Sequence, residues 1–357
     1  MTKLLSIIIP TYNMAVLLPR CLDSLVQAKD ANEKLEIIVV NDGSKDNSLE
    51  VARQWETKYP NCIRVIDKPN GNYGSTINAA LPISKGKYIK VLDSDDWFDT
   101  KMLNQFLNIL GEKTADIWWT HFSQIGAKNT EVIRYNTMGR EPYEYGRVYN
   151  LDDVLKEGYI RFFLMHGLTY RTDMLRQMGY KQTEGISYTD TEWSCYPIFF
   201  AKTIIFCNLN LYQYNLDREG QTMDPKVLLK SVGQLQEVTD KMLNFYQNHR
   251  NDLSEIRRKW MKQYFENRLR ILYKIYLLDM PREAFHIEDL TAIDEKYLPI
   301  MQVLDLAPKL YPENKIIRLE YFAYWRKHKR RPSVCFEKIN HLTDMVVKWA
   351  YAKFIRR

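Results

Sequence analysis

Short runs of apolar, mostly β-branched residues alternate with longer amphipathic segments over the first 100 residues of the chain. Four of these runs have the length and composition of strands buried on both faces, and they lie at residues 4–9, 35–40, 63–66 and 88–92. Helices are predicted between them, at residues 17–28, 44–58 and 75–83. Strands that alternate with helices of this length predict a largely parallel sheet with helices on both faces.

A cluster of polar, turn-forming residues follows each predicted strand. The clusters are Pro10–Asn13, Asn41–Ser44, Asp67–Gly71 and Asp93–Asp96. Parallel sheets of this kind bind ligands outside the carboxyl ends of their strands. Because all four clusters fall at such ends, they predict one ligand site along that edge of the sheet.

The pattern changes near residue 225. Before it, a helix capped by Thr100, a strand at 115–124 and a short helix at 151–157 continue the alternation of strands and helices. Beyond it, apolar residues recur at helical spacing, first from 227 to 245 and again from 256 to 273. We therefore predict an α/β domain at residues 1–225 and a mostly helical domain at residues 226–357.

Composition excludes several classes of protein. Apolar residues make up 45% of the 357 residues and charged residues 27%, which is typical of a globular chain. The five cysteines form no C-x-x-C pair, which predicts a reduced, cytosolic protein without a zinc site. No apolar run approaches the roughly 20 residues that span a bilayer, so we expect a soluble or peripheral protein. The net charge of +7 favours phosphate-bearing partners without choosing among nucleotide, nucleic acid and anionic lipid.

The carboxylates of Asp93 and Asp95 carry the sharpest chemical signal. They follow an apolar strand directly and precede Trp97, Phe98 and a helix. Two carboxylates spaced in this way can converge on one divalent cation, since Mg²⁺ and Mn²⁺ prefer oxygen ligands and complete their shells with substrate phosphates. The competing interpretation is a helix N-terminus whose acidic residues suit its dipole. The polar clusters at the neighbouring strand ends favour the metal site.

The order of these clusters resembles the family 2 glycosyltransferases of the GT-A fold. The motifs that carry the resemblance lie at residues 6–13, 36–44, 70–78 and 92–96. It covers residues 4–125 and continues more weakly to residue 225. The resemblance implies a GT-A type nucleotide-sugar-binding domain and an inverting, hexosyltransferase-type enzyme that uses a nucleoside-diphosphate sugar with Mn²⁺ or Mg²⁺.

The resemblance implies roles for the first two clusters. Pro10, Thr11 and Tyr12 would line the nucleobase pocket, with Tyr12 at the face of the base, where stacking contributes about 1–3 kcal/mol. Asp42 would accept a hydrogen bond from a ring N–H of the base, with uracil N3 as the favoured candidate. The residues alone leave open that Tyr12 is a turn residue covering the sheet and that Asp42 forms an Asx turn or a helix cap.

The remaining donor contacts implied by the resemblance come from the third and fourth clusters. Asn70 and Gly74 belong to a glycine-bearing loop that would let the backbone approach the nucleotide. Asn78, on the following helix, is interpreted as a structural partner of the acidic loop. Asp93 would hold the ribose or support the cation, and Asp95 would bind the metal directly.

An inverting transfer needs a base that removes the proton from the acceptor hydroxyl as its oxygen attacks the anomeric carbon. The family often places this base in a Glu-Asp pair downstream of the metal motif, and residues 187–193 occupy that place. Asp190 is the predicted base because an aromatic residue follows it closely. Thr189 stands where the family has Glu, which leaves Glu192 as a rival. A surface helix that begins with two acidic residues is the alternative to both.

Two further segments carry weaker signals. Residues 212–222 resemble the family's closing loop, in which Arg218 and Thr222 would reach the donor diphosphate. An arginine that is merely solvated is the alternative there. His166 is placed either near the acceptor or, as is more common for a lone histidine, in the core.

The C-terminal end combines a basic run with an apolar helical stripe. The run lies at residues 326–331, the stripe lies at residues 336–349, and further Lys and Arg residues continue to 357. Such a helix can lie on an anionic membrane surface, where each cation adds about 1 kcal/mol. A helix packed on its own domain with a solvated basic face fits the pattern equally well.

The residues and the resemblance together predict a transferase that moves a sugar from a nucleoside-diphosphate sugar, with UDP favoured by family habit. The acceptor would be a hydroxyl of a glycan or lipid-linked molecule in bacterial surface-polysaccharide synthesis, in the cytoplasm or at the inner face of the plasma membrane, without specific nucleic acid. A sugar-1-phosphate nucleotidyltransferase and a dinucleotide oxidoreductase are excluded because no glycine-rich phosphate loop follows the first strand. A catalytically degenerate member that acts as a partner subunit or binds anionic polymers stays open.

Overall fold

The structure, a computed structural model, describes residues 3–126, 130–133, 142–216, 231–311 and 319–350. Within these ranges the strands form one ten-stranded sheet. The strands are β1 (Leu5–Thr11), β2 (Leu35–Asp42), β3 (Ile63–Lys68), β4 (Tyr88–Val91), β5 (Trp97–Phe98), β6 (Ile117–Ile125), β7 (Thr130–Ile133), β8 (Val148–Asn150), β9 (Leu168–Arg171) and β10 (Thr203–Asn215). Every residue of β1, β2 and β4 is buried, as expected of parallel strands that are covered on both faces.

Two parallel blocks of this sheet are joined through a reversed strand. β3, β2, β1 and β4 run parallel in that order, and β6 and β10 form a second parallel pair. β9 lies between the blocks and is antiparallel to both β4 and β6. Because β9 is antiparallel to the strands on both of its sides, β4 and β6 run in the same direction. The strands β1, β4, β6 and β10 are therefore all parallel, and their carboxyl ends share one edge. The predicted α/β class with a mainly parallel sheet is confirmed.

Among the described residues, the first eight α-helices in chain order are α1 (Leu18–Val26), α2 (Ala31–Lys34), α3 (Ser48–Lys58), α4 (Asn72–Ala80), α5 (Thr100–Leu110), α6 (Leu151–Lys156), α7 (Thr172–Gln177) and α8 (Asp190–Cys195). Five of them, α1, α3, α4, α5 and α6, lie where the sequence predicts them, and α2, α7 and α8 are not predicted. The apolar face of α5 is buried as predicted. Its cap is Asp99, whose Oδ1 accepts from the amide of Met102 at 2.9 Å, so the prediction that Thr100 caps this helix is wrong.

The first three polar clusters begin inside the strands rather than after them. Pro10 and Thr11 still pair with Val40 and Asn41 of β2. The missing N–H of Pro10 is tolerated because the pairing of β1 with β4, on its other side, ends at Ile8. The first cluster therefore starts on rigid strand, and only its last residues form a loop.

Two compact units contain the described residues. One unit contains those within Met1–Val227 together with Asp240–Trp260, and the other contains those within Leu228–Thr239 together with Met261–Arg357. Beyond residue 231 the chain is helical, with α9 (Val232–His249), α10 (Glu255–Lys274), α11 (Ile287–Leu304), α12 (Tyr321–His328) and α13 (Val334–Ala350). The helical C-terminal portion is therefore confirmed, whereas a functional boundary at residue 225 stays a prediction.

Candidate active site

Three carboxylates lie together where β4 ends. Asp93, Asp95 and Asp96 each place a carboxylate oxygen within 4.8 Å of the others. Hard divalent cations such as Mg²⁺ and Mn²⁺ bind carboxylate oxygens of this kind. The donor set therefore fits the cation expected from the sequence, with Asp96 as an additional member, and it lies at the ligand-binding edge of the sheet.

Strand β10 holds the acidic loop in place. The Tyr212 hydroxyl donates to Oδ2 of Asp96 at 2.5 Å and accepts from the amide of Asp93 at 3.2 Å. The amide of Asn215 donates to Oδ1 of Asp96 at 2.8 Å. Asp96 is thus wholly buried and oriented by protein groups, while Asp93 is half-buried. The arrangement leaves Asp93 and Asp95 as the more accessible carboxylates of the three.

Burial and the crowding of like charges shift the pKa of one carboxyl group in this cluster. Burial, followed by the carboxylates of Asp93 and Asp95, raises the pKa of Asp96 to about 9. The cluster therefore resists carrying three negative charges on its own. That is the electrostatic condition which a bound divalent cation relieves.

Tyr73 connects the acidic loop with the predicted base. Its hydroxyl, on the first turn of α4, donates to Oδ1 of Asp93 at 2.8 Å. Burial, followed by the carboxylates of Asp93 and Asp190, raises the pKa of Tyr73 well above its usual range. Asp190 therefore lies close enough to act on the phenol that holds Asp93. The structure brings these two aspartates, which are far apart in the sequence, to one site.

The two candidate bases have different surroundings on the same short helix. Asp190 is half-buried at the first position of α8. Glu192 is wholly buried and accepts from the Thr183 amide at 2.7 Å, the Thr183 hydroxyl at 2.8 Å and the Tyr196 hydroxyl at 3.1 Å. Burial raises the pKa of Glu192. Both oxygens of Glu192 are engaged by neighbouring groups, which counts against Glu192 as the base, and the role of Asp190 stays a prediction.

Helix α4 is locked to the segment that precedes Asp190. A Cβ added at Gly74 would lie 1.9 Å from the carbonyl oxygen of Thr183. Asn78 donates to the carbonyl of Gln182 at 2.8 Å and accepts from its amide at 2.9 Å. The expectation that Asn78 supports the acidic loop is therefore wrong, because it holds the segment leading to Asp190. The close approach of the Thr183 carbonyl is enough to require glycine at position 74, and a contact between Gly74 and the donor stays a prediction.

The nucleobase end of the predicted site centres on Asp42. Oδ1 of this buried carboxylate accepts from Lys68 Nζ at 2.8 Å, the Gly71 amide at 2.9 Å and the Ser75 hydroxyl at 3.2 Å. The Asn70 side chain donates to the backbone carbonyl of Asp42 at 2.9 Å. These partners are distant in sequence, so Asp42 forms neither an Asx turn nor a helix cap. Within the described residues, its Oδ2 has no hydrogen-bond partner, and its contact with a nucleobase stays a prediction.

Tyr12 lies beside Asp42 at the same edge of the sheet. Its side chain is 42% exposed, whereas Thr11 is buried at the end of β1. The next residue, Asn13, accepts from the amide of Lys45 at 2.8 Å, which ties the loop after β1 to the loop after β2. An exposed ring held next to the Asp42 strand suits the predicted stacking on a base.

The other predicted residues divide into two groups. Arg218 and Thr222 lie outside the described residues. His166 is half-buried in an aromatic cluster, with its ring centroid 4.8 Å from that of Phe122 and 4.6 Å from that of Tyr214. Burial, followed by the charge of Lys90, lowers the pKa of His166 to about 3, so its ring is neutral.

Three organising side chains, Tyr73, Tyr212 and Lys68, are not predicted from the sequence. The bond between Tyr212 and Asp96 joins residues 116 positions apart, and no local pattern signals such a contact. For Lys68 a signal exists, because it lies at the carboxyl end of β3, where the neighbouring strand carries Asp42. A cation opposite a buried carboxylate could have been inferred from that register.

The mixed sheet and the carboxylate cluster at its carboxyl edge have the arrangement expected of a GT-A fold. The model of the family described as "Glycosyl transferase family 2" matches residues 6–179, which contain β1 to β4, Asp42 and the acidic cluster. Residues 6–179 therefore form a glycosyl transferase family 2 domain, and relatives named as glycosyltransferases support a transferase.

Relatives with curated names agree with this assignment. "Uncharacterized glycosyltransferase MG025" of Mycoplasma genitalium is 29% identical over 276 residues, which cover 69% of this chain and 88% of that protein. "Poly(ribitol-phosphate) beta-glucosyltransferase" of Bacillus spizizenii is 41% identical over 115 residues, which cover 32% of this chain. The match to this glucosyltransferase spans only 18% of its length. A further match, to an MG025 homolog from Mycoplasma pneumoniae, spans 32% of that protein's length.

A solved structure shares the fold. The crystal structure of residues 1–349 of S. aureus TarS superposes with a TM-score of 0.64 at 17% sequence identity, over 98% of this chain and 92% of that one. The same TarS fragment has been solved in complex with UDP, with a TM-score of 0.61. At this level of identity the similarity establishes the architecture and not the substrate.

Proposed function

We propose that this protein transfers a sugar from a UDP-sugar to a hydroxyl of a glycan or lipid-linked acceptor, with inversion at the anomeric carbon. One observation carries the proposal: three carboxylates lie within 4.8 Å of one another at the carboxyl edge of the sheet. Asp93 and Asp95, its more accessible members, would hold a Mn²⁺ or Mg²⁺ ion. When bound, such an ion neutralises the charge that develops on a diphosphate leaving group.

The protein's own residues would supply the rest of the donor site. Oδ2 of Asp42 accepts from a ring N–H of the nucleobase, and Tyr12 covers one face of that base. Asn70 and Gly71 hold Asp42 through the bonds already described. Asp190 is the proposed base that takes the proton of the acceptor hydroxyl.

Surface-polymer synthesis is the proposed setting. It is supported by the similarity to a poly(ribitol-phosphate) glucosyltransferase and to TarS, a protein solved with UDP. Since the chain matches only 18% of the first of these, the polymer itself is not carried over. Poly(ribitol phosphate) is accordingly the first acceptor to assay, followed by lipid-linked saccharides.

Metal-dependent stabilisation by a nucleotide tests the donor site. UDP with Mn²⁺, at about 100 times the dissociation constant, should stabilise the wild type by about 2.7 kcal/mol. Asp95→Asn should remove that stabilisation because it removes an accessible charged oxygen from the cluster. The measurement is a thermal shift with UDP, GDP, dTDP and CDP, each with and without Mn²⁺.

A matched variant and two outcomes define this test. Asp23→Asn changes an exposed aspartate on α1 in the same way and should leave the nucleotide effect intact. A larger shift with another nucleotide would replace UDP as the donor base. If no nucleotide stabilises the wild type, the catalytic proposal fails and the degenerate, partner-subunit interpretation takes its place.

The C-terminal helix supports a second proposal, that the protein binds an anionic membrane surface. α13 exposes a run of apolar side chains, Val334, Ile339, Leu342, Met345 and Val346. Exposed apolar residues on a helix that also carries lysines suit the boundary between headgroups and acyl chains. Among the helices that the structure describes, none is both long enough and apolar enough to cross a bilayer.

The membrane role expected of the basic run at residues 326–331 does not hold for two of its arginines. Arg326 donates to the buried carboxylate of Asp294 at 3.0 Å, and Arg331 donates to the carbonyl of Met280 at 2.7 Å. These two cations are internal contacts of the helical unit and are not available to lipid. Lys327 and Arg330 are exposed, and for them contact with lipid stays a proposal.

Vesicle binding tests this surface without deleting the internal arginines. The wild type should sediment with vesicles that contain phosphatidylglycerol, and Leu342→Glu should weaken binding because it places a charge on the apolar face. Val303→Glu is the matched control, since Val303 and Leu342 are each 60% exposed and lie on different helices. Equal binding by all three proteins, or no binding by the wild type, would exclude the membrane role of α13.

A further inference from the structure

Tyr214 lies next to the acidic cluster with its hydroxyl unused. Side chains alternate along a strand, so Tyr212 and Tyr214 of β10 share one face. Tyr212 holds Asp96, and Tyr214 lies two residues nearer the carboxyl end, roughly 7 Å further toward the ligand edge. Its side chain is half-buried, and across the described ranges its hydroxyl has no hydrogen-bond partner.

The carboxylates of the site act on this phenol. Burial, followed by the carboxylates of Asp96, Asp93, Asp95 and Asp190, raises the pKa of Tyr214 to about 12. Tyr214 therefore stays a neutral hydrogen-bond donor at every working pH. It also lies within electrostatic reach of both the proposed cation site and the proposed base.

Neighbouring rings fix the position of Tyr214. Its ring centroid lies 4.6 Å from that of His166, which in turn stacks on Phe122 at 4.8 Å and meets Tyr212 edge to face at 4.9 Å. Because His166 is neutral, this is an aromatic stack without charge of its own. Tyr214 thus holds its place before a ligand arrives, which reduces the entropy lost on binding.

We propose that Tyr214 contacts the donor sugar, with its phenolic hydroxyl donating a hydrogen bond to a hydroxyl of the sugar that is transferred. The assignment rests on the proposed function. A sugar attached to a diphosphate held at Asp93 and Asp95 extends from the cation site toward Asp190. The carboxylates of both places act on Tyr214, and its hydroxyl, which has no partner among the described residues, can donate to a sugar hydroxyl there.

Calorimetry in the presence of Mn²⁺ separates a sugar contact from a nucleotide contact. The ligands are UDP and the one among UDP-glucose, UDP-galactose and UDP-N-acetylglucosamine that the wild type binds most tightly. Tyr214→Phe keeps the ring and its contact with His166 but removes the hydroxyl. It should weaken binding of the UDP-sugar by about 3- to 10-fold, as expected for one hydrogen bond, and change binding of UDP by less than about twofold.

The controls distinguish the failure of this inference from the failure of the donor site. Tyr59→Phe removes a hydroxyl from a ring that stacks on Trp55 at 5.6 Å, outside the site, and should leave both affinities unchanged. If Tyr214→Phe changes neither affinity, or weakens UDP and UDP-sugar equally, the sugar contact is excluded while the donor site stands. If the wild type binds neither ligand, the proposed function itself is wrong.

Discussion

Asp190→Asn should lower the rate of sugar transfer by about 10²- to 10⁴-fold, the range that a general base contributes. The amide is nearly the same size as the carboxylate but cannot take the proton from the acceptor hydroxyl. Affinity for UDP with Mn²⁺ should be unchanged, because Asp190 belongs to α8 and not to the acidic loop. The measurement is the initial rate of UDP release at saturating donor with an acceptor that supports turnover, alongside calorimetry with UDP.

Glu192→Gln provides the comparison that decides between the two candidate bases. It disrupts buried hydrogen bonds to Thr183 and Tyr196, so it should lower the free energy of unfolding by about 1–3 kcal/mol. Below its melting temperature it should retain a rate within a few-fold of the wild type. A large loss of rate in Glu192→Gln with little change in Asp190→Asn would reverse the assignment.

Gly74→Ala should both destabilise the protein and slow the reaction, although it adds only one methyl group. The new Cβ would lie 1.9 Å from the carbonyl oxygen of Thr183, so either α4 or the segment at 182–185 must move. Overpacking of this kind typically costs about 1–3 kcal/mol. A displacement of about 1 Å at a catalytic group can lower a rate by about 10²-fold. Urea denaturation and the rate of UDP release measure the two effects.

Gly111→Ala is the matched control for this substitution. A Cβ at Gly111, at the end of α5, meets its nearest neighbours at 4.0 Å, and its backbone lies in the region that all residues adopt. It should therefore leave both stability and rate nearly unchanged. If Gly74→Ala behaves like Gly111→Ala, the proposed coupling between α4 and the position of Asp190 does not exist.

The first four strands could be predicted from the sequence to within two residues at each end. β1, β2 and β4 are buried along their whole length, so apolar residues dominate them and no knowledge of their neighbours is needed. β3 lies at the edge of the sheet and is recognised by its short apolar start, although it buries only alternate residues there. The structure extends β1, β2 and β3 into their polar clusters because pairing with adjacent strands continues there. β9 is a different case, since it has four residues and lies between strands that run against it. Periodicity gives no signal for such a reversal.

The residues of the candidate site also fall into those that the local sequence predicts and those that it does not. Asp42 ends β2, and Asp93 and Asp95 come just after β4, so local pattern and resemblance place them. Their partners come from elsewhere in the chain, as the bond from Tyr73 to Asp93 and those from β10 to Asp96 show. Tyr188, two residues before Asp190, has a φ of +65°, an uncommon conformation for an aromatic residue that its sequence does not predict. The surroundings of Asp190 are therefore set by the tertiary structure and not by its own segment.

The dependence of the acidic loop on β10 affects how the protein folds while it is being synthesised at the ribosome. Tyr212 and Asn215 follow Asp96 by 116 and 119 residues. At about 5–20 residues per second, translation delivers them roughly 6–24 seconds after the aspartate that they hold. Until then the nascent chain exposes the acidic loop without the bonds that orient Asp96. The acidic loop therefore gains its full set of hydrogen bonds only with the last strand of the sheet, and under the proposed function a chain terminated earlier would consume none of the cell's activated sugar.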